Sequence, residues 1–210
     1  MELKLCTEIV FDSMTMCPLC VNTIIPCINI IILREVKYMI QLFEIDLHDY
    51  DATDKIFSRP SARGIIFIKG KIALVYSNKE KYYKFPGGGI HNGENNRDAL
   101  CRKVREEVGL VVIPESIHEF GSVLRRQKSN CLLGTIFEQE NFYYYCDVKG
   151  NIVEQNLDDY EKEAEFVLRL VNIDEAIEVN SKYESDDFFN EIMIKREKRV
   201  LELIKERMTI

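Results

Sequence analysis

The chain has 210 residues, 46% apolar and 30% charged, with a net charge of −7. That length suits one domain plus an extension, and the composition suits a soluble globular protein. The acidic balance argues against nonspecific nucleic-acid binding, which needs a basic footprint, but not against a small phosphorylated ligand neutralised by a metal and a few arginines.

Residues 1–38 read apart from the rest. Residues 13–33 carry no charge. The run is long enough for a marginal membrane span, but Pro18, Pro26, Asn22 and Asn29 argue against one. It has neither a basic leader nor a small-residue cleavage pattern, so it does not read as a secretory signal. Cys17-Pro18-Leu19-Cys20 is a C-x-x-C, yet Cys6 and Cys27 do not complete a paired zinc knuckle. A disposable extension is expected here, with Met39 as an alternative natural start. The chain has seven cysteines. Cys101, Cys131 and Cys146 in its body offer no disulfide framework, which makes a reducing cytoplasm the expected setting.

From Met39 onward the elements follow one another closely. Residues 41–47, QLFEIDL, form a short strand, and residues 52–63, with Pro60, a loop. Residues 65–68 and 72–76 are strands joined through Lys69-Gly70-Lys71, a hairpin with glycine at its turn. Residues 82–85 lead into Pro86-Gly87-Gly88-Gly89, where glycines let the backbone approach a phosphate or a metal.

A helix follows this turn. Asn95 is a good N-cap, with Asp98 three residues on. Ala99, Leu100, Val104 and Val108 recur at helical spacing, and Gly109 ends the helix as a C′ glycine. Lys103, Glu106 and Glu107 share one helix face. Two adjacent carboxylates pointed at a glycine turn make the all-oxygen environment that magnesium prefers.

Further on, residues 111–113 and 119–126 extend the sheet, and residues 130–135 are a loop. Residues 139–148 form an aromatic-rich strand and residues 166–171 another. Residues 173–179 begin a short helix. Residues 186–207 are a long terminal helix with Phe189, Ile192, Val200 and Leu203 toward the core. The alternation predicts an α/β domain with a mixed sheet between helices.

Gly88, Glu94, Arg102, Glu106, Glu107, Gly109 and Leu110 stand at spacings that resemble the Nudix box, the signature of magnesium-dependent pyrophosphohydrolases. The box covers residues 88–110. The resemblance implies a Nudix-type α/β/α sandwich over residues 39–210. It also implies cleavage of a diphosphate linkage in a small nucleotide derivative, with Mg2+ or Mn2+ as cofactor. Glu106, Glu107 and a carbonyl near Gly88 would hold the metal, while Glu94 and Arg102 would brace the loop against the helix. Glu165, just before an apolar strand, is the expected further carboxylate for metal and catalysis, with Glu161 and Glu163 as close alternatives. Arg63, Arg125 and Arg126, with Gly87 and Gly88, are expected to meet substrate phosphates. Tyr82 and Tyr83 are expected as packing residues. Neither nucleic acid nor a membrane is expected as a partner, and a homodimer is left open.

One slot departs from the pattern. Lys103 stands where the box carries a glutamate. A charged lysine can neither ligate a cation nor accept a proton, so two readings follow: a slowed hydrolase, or a noncatalytic module that binds a nucleotide metabolite.

Overall fold

The computed structural model describes residues 39–209. The N-terminal extension and its cysteine motif lie outside them. The first half contains β1 (Gln41–Asp46), β2 (Lys55–Ser58), β3 (Ser61–Ile65), β4 (Phe67–Ile68), β5 (Lys71–Ser77), β6 (Tyr83–Lys84), β7 (Gly87–Gly89) and α1 (Asn96–Val108). The second contains β8 (Leu110–Val112), β9 (His118–Lys128), β10 (Thr135–Tyr145), β11 (Val148–Ile152), α2 (Asp159–Glu163), β12 (Phe166–Val171), α3 (Ile173–Ser181) and α4 (Phe188–Met208).

The larger sheet runs β1-β9-β10-β3-β7, with β2 also paired to β10. It is mixed: β9 and β10 are antiparallel, while β1 lies parallel to β9 and β3 parallel to β10. A second sheet runs β12-β5-β4, with β6 on β5. Neighbouring strand residues point to opposite faces, and β10 shows the result. Tyr144 packs with Ala99, Leu100 and Val104 of α1, whereas Tyr143 packs with Val200, Leu201 and Ile204 of α4. The expected mixed sheet between helices is therefore what the chain forms.

Two local expectations need correction, and one helix is added. Residues 52–63 are not one loop, since they contain β2 and the start of β3. All four residues of β2 are exposed, so no hydrophobic alternation marks the strand, and parallel backbone pairing with Thr135–Glu138 holds it in place. The strand expected over 65–68 is divided at Ile66. Ile65 closes β3 in the larger sheet, and Phe67 opens β4 in the smaller. The acidic stretch before β12 contains α2, whose N-cap Asp158 and Glu161 form a capping box.

Tyr82 and Tyr83 are buried packing residues. Tyr83 is also an anchor point: its N–H donates to Asn180 Oδ1 and its carbonyl accepts from Asn180 Nδ2, both at 2.8 Å. Asn180 thus completes the ladder of the short strand β6. Truncating it leaves two buried backbone groups unpaired, at about 1–3 kcal/mol each before relaxation. We expect Asn180→Ala to lower unfolding free energy by about 2 kcal/mol, read as a lower midpoint in urea with unchanged slope.

Candidate active site

The glycine turn is shaped by steric contact. Gly87 has φ 133°, and a Cβ there would lie 2.1 Å from the Ala62 carbonyl oxygen. Only glycine lets β7 run this close to β3. Gly109 ends α1 at φ 68°, and its N–H bonds to the Arg105 carbonyl. Asn95 caps the other end by accepting from the Asp98 N–H, as its position in the sequence suggested.

The expected brace is present. Arg102 Nε donates to Glu94 Oε1 at 2.8 Å, and its Nη2 donates to Glu94 Oε2 at 2.6 Å. The same Nη2 also reaches the Gly89 carbonyl at 3.2 Å. This two-toothed contact, helped by the His91 backbone N–H, pushes the Glu94 carboxyl down to about 2, although partial burial works against it.

Glu107 is buried, and each of its oxygens has a partner. Oε1 accepts from Lys84 Nζ at 2.7 Å and Oε2 from the Gly87 N–H at 2.8 Å. Lys84 Nζ also lies 4.2 Å from the centre of the Phe166 ring. Lys84 is the functional neighbour that sequence reasoning missed. Its only signal is a lysine next to the aromatic residue that enters the glycine turn.

Lys103 lies along the turn. A Cβ on Gly88 would come within 3.1 Å of Lys103 Cδ and Cε. Its ammonium stands 3.0 Å from Glu106 Oε2 and 3.7 Å from Glu161 Oε1. Burial alone would lower the lysine pKa, but Glu106 and Glu161 outweigh it and the net direction is upward. Lys103 is therefore charged at neutral pH. Arg102 Nη1 lies 3.4 Å from Glu106 as well. Burial, and then the charge of Glu107, raise the Glu161 carboxyl.

The structure thus brings together Gly87, Gly88, Glu94, Arg102, Lys103, Glu106 and Glu107, and adds Lys84 and Glu161. It does not bring Glu165 to them. Glu165 follows α2 with φ 53° and is exposed, with its charge acting on Lys79. The capping box turns Glu161 inward instead.

The expected phosphate-binding arginines also need correction. Arg125 and Arg126 are consecutive on β9, so they face opposite ways. Arg126 pairs at the surface with Glu138 at 2.7 Å. Arg125 is buried; it donates to Gln127 Oε1 and the Phe189 carbonyl, and stacks 3.9 Å over the Phe189 ring. Burial, reinforced by nearby Arg196, lowers its pKa to about 9. Arg63 is buried behind the turn, its Nη1 donating to the Phe85 and Gly87 carbonyls at 3.2 Å.

Among the described residues, no group of three or more His, Cys, Asp or Glu side chains is placed to hold a metal ion. The donor set explains this. Each Glu107 oxygen already accepts one hydrogen bond, and the Lys103 ammonium occupies the space between Glu106 and Glu161. The residues in this arrangement do not fit a divalent ion.

The family model of the NUDIX domain matches residues 58–191, and the chain belongs to that family. An 8-oxo-dGTP diphosphatase of Buchnera aphidicola subsp. Schizaphis graminum (strain Sg) is 41% identical over 54 residues, a match spanning 24% of this chain and 42% of that protein. The chain therefore matches less than half the length of this curated relative. Among solved structures, a mutator MutT protein from Bacillus halodurans aligns with TM-score 0.46 and 17% identity, over 65% of this chain and 80% of the other. A NUDIX hydrolase from Nitrosomonas europaea aligns with TM-score 0.44 and 18% identity, over 67% of this chain and 89% of the other. No helix among the described residues is long and apolar enough to cross a membrane.

The Glu94 brace has a pH dependence. Its folded pKa of about 2 lies below the ordinary 4.5, so its contribution is present above about pH 4.5 and fades as pH falls toward 2. We expect Glu94→Gln to cost about 1–2 kcal/mol at pH 7, after discounting for solvent screening. Denaturant titrations of both forms should show that gap narrowing steadily below about pH 4.5.

Proposed function

We propose that the chain is a Nudix hydrolase that cleaves the diphosphate linkage of a small nucleotide derivative in the cytoplasm, and that it does so slowly. The observation that carries this reading is the assembled box. Gly87 and Gly88 present backbone beside Lys103, Glu106 and Glu107, and Arg102 with Glu94 holds that turn against α1. Family membership supports the bond class. The short stretch shared with an enzyme named as an 8-oxo-dGTP diphosphatase supports a nucleotide substrate.

In the proposed reaction water attacks one phosphorus of the diphosphate. A new P–O bond forms as the bridging P–O bond breaks, and two phosphate-bearing products leave. Lys103 and Arg102 offset the negative charge on the phosphoryl oxygens. Gly87 and Gly88 let the backbone meet those oxygens at close range. Glu106 is the carboxylate available to take the proton of the water. The Lys103 ammonium, 3.0 Å from Glu106 Oε2, competes with the water for that carboxylate, which accounts for the slow rate. Impairing a general base costs about 10²–10⁴ in rate.

The position of Lys103 also supports a second reading, in which the domain binds a nucleotide metabolite without turning it over. One assay separates the two. The protein and its Lys103→Glu variant are incubated with magnesium and nucleoside triphosphates, ADP-ribose, dinucleotides or sugar nucleotides, and product is quantified. We expect slow product formation by the native chain and a rise of about 10²-fold or more in the variant. Tight binding with no product from either form would overturn the hydrolase reading.

A further inference from the structure

We propose that Lys103 is a tethered cation that stands in for a divalent ion, so that this site holds a diphosphate group without metal. The inference deepens the hydrolase reading by assigning charge neutralisation to a side chain.

The placement of the ammonium carries the argument. An ordinary helix-surface lysine pairs with a carboxylate one turn away and is solvated. Lys103 Nζ instead bridges carboxylates of two elements, Glu106 of α1 at 3.0 Å and Glu161 of α2 at 3.7 Å. Its side chain is only 17% exposed. Its methylenes lie against Gly88, where a Cβ would meet them at 3.1 Å. The lysine therefore fills the gap between the turn and the acidic face, and a divalent ion could enter only by displacing it.

Charge points the same way. Three carboxylates, Glu106, Glu107 and Glu161, lie close together, and each has a cation of the chain beside it. Lys84 serves Glu107 at 2.7 Å, and Lys103 serves the other two. Divalent-ion affinity depends on the charge and number of free oxygen ligands, and here most of that charge is already offset. A diphosphate approaching bare carboxylates would be repelled without an intervening metal. Approaching this turn it meets an ammonium, which binds phosphate as a point charge. Glycine backbone and Arg102 stand beside it.

The test uses the whole chain and needs no turnover. Manganese uptake is followed by the loss of free Mn2+ signal in electron paramagnetic resonance. Inorganic pyrophosphate binding is followed by calorimetry in EDTA and in magnesium. The native chain should take up no manganese at millimolar concentration, and its pyrophosphate affinity should be the same, within about twofold, in EDTA and in magnesium. Lys103→Glu should gain a manganese site and bind pyrophosphate only with magnesium. Lys103→Met, which keeps the stem and loses the charge, should lose about tenfold or more in metal-free pyrophosphate affinity. Manganese uptake by the native chain, loss of pyrophosphate binding in EDTA, or unchanged affinity in Lys103→Met would each overturn the proposal. The native chain alone decides the first two, so a variant that failed to fold would not shelter the idea. None of these outcomes depends on whether a nucleotide is hydrolysed, so the hydrolase reading stands or falls separately.

Discussion

The carboxylate of Glu107 is the contact on which the geometry of the box depends. A buried carboxylate is costly unless each lone-pair region finds a donor. Here the donors are the Lys84 ammonium and the Gly87 N–H, one from each of the two strands that flank Pro86. A single side chain therefore fixes the distance between the box helix and the turn it faces. The glycine at 87 lets the turn sit deep enough to be reached, because any Cβ would strike the Ala62 carbonyl. Burial, hydrogen bonding and steric fit thus converge on one residue pair.

A second polar network grips the same turn from the opposite face of the sheet. Glu197 accepts from the Phe85 N–H at 2.7 Å, from the Tyr143 hydroxyl at 3.0 Å and from Arg196 Nη2 at 2.7 Å. Burial alone would raise the Glu197 carboxyl, but Arg196 and Arg63 more than offset it and hold it down. Arg63 adds the Phe85 and Gly87 carbonyls. Buried ion pairs of this type are costly to break. Here they set the path of residues 85–87, and the guanidinium that looked available for phosphate is spent on that task.

What the sequence shows depends on how local each signal is. The N-cap at Asn95 and the helix end at Gly109 follow from short spacings within one helix and its turn, so they are legible, and the Glu94–Arg102 brace is implied by the resemblance to the Nudix box. The mixed sheet between helices was legible from the alternation of elements. β2 was not, since an exposed edge strand has no hydrophobic period to read. The choice among Glu161, Glu163 and Glu165 could not be made by eye either. It turns on which side of a five-residue helix packs inward, although the Asp158-x-x-Glu161 spacing was a usable sign of that helix. The two arginines on β9 look equivalent in the sequence, while strand alternation sends one to solvent and the other under α4. Lys84 carried no pattern of its own, and its role exists only once Glu107 has been folded against it.

Glu197 lies 112 residues downstream of the backbone amide it holds. The terminal helix is thus mechanically part of the box, though nothing in the box refers to it. Inherited changes in that helix could retune the turn by small displacements while every box residue stayed the same. Two chains with identical boxes could then differ in their chemistry, so ranking members of this family by the box alone would overlook a source of divergence seated at the far end of the polypeptide.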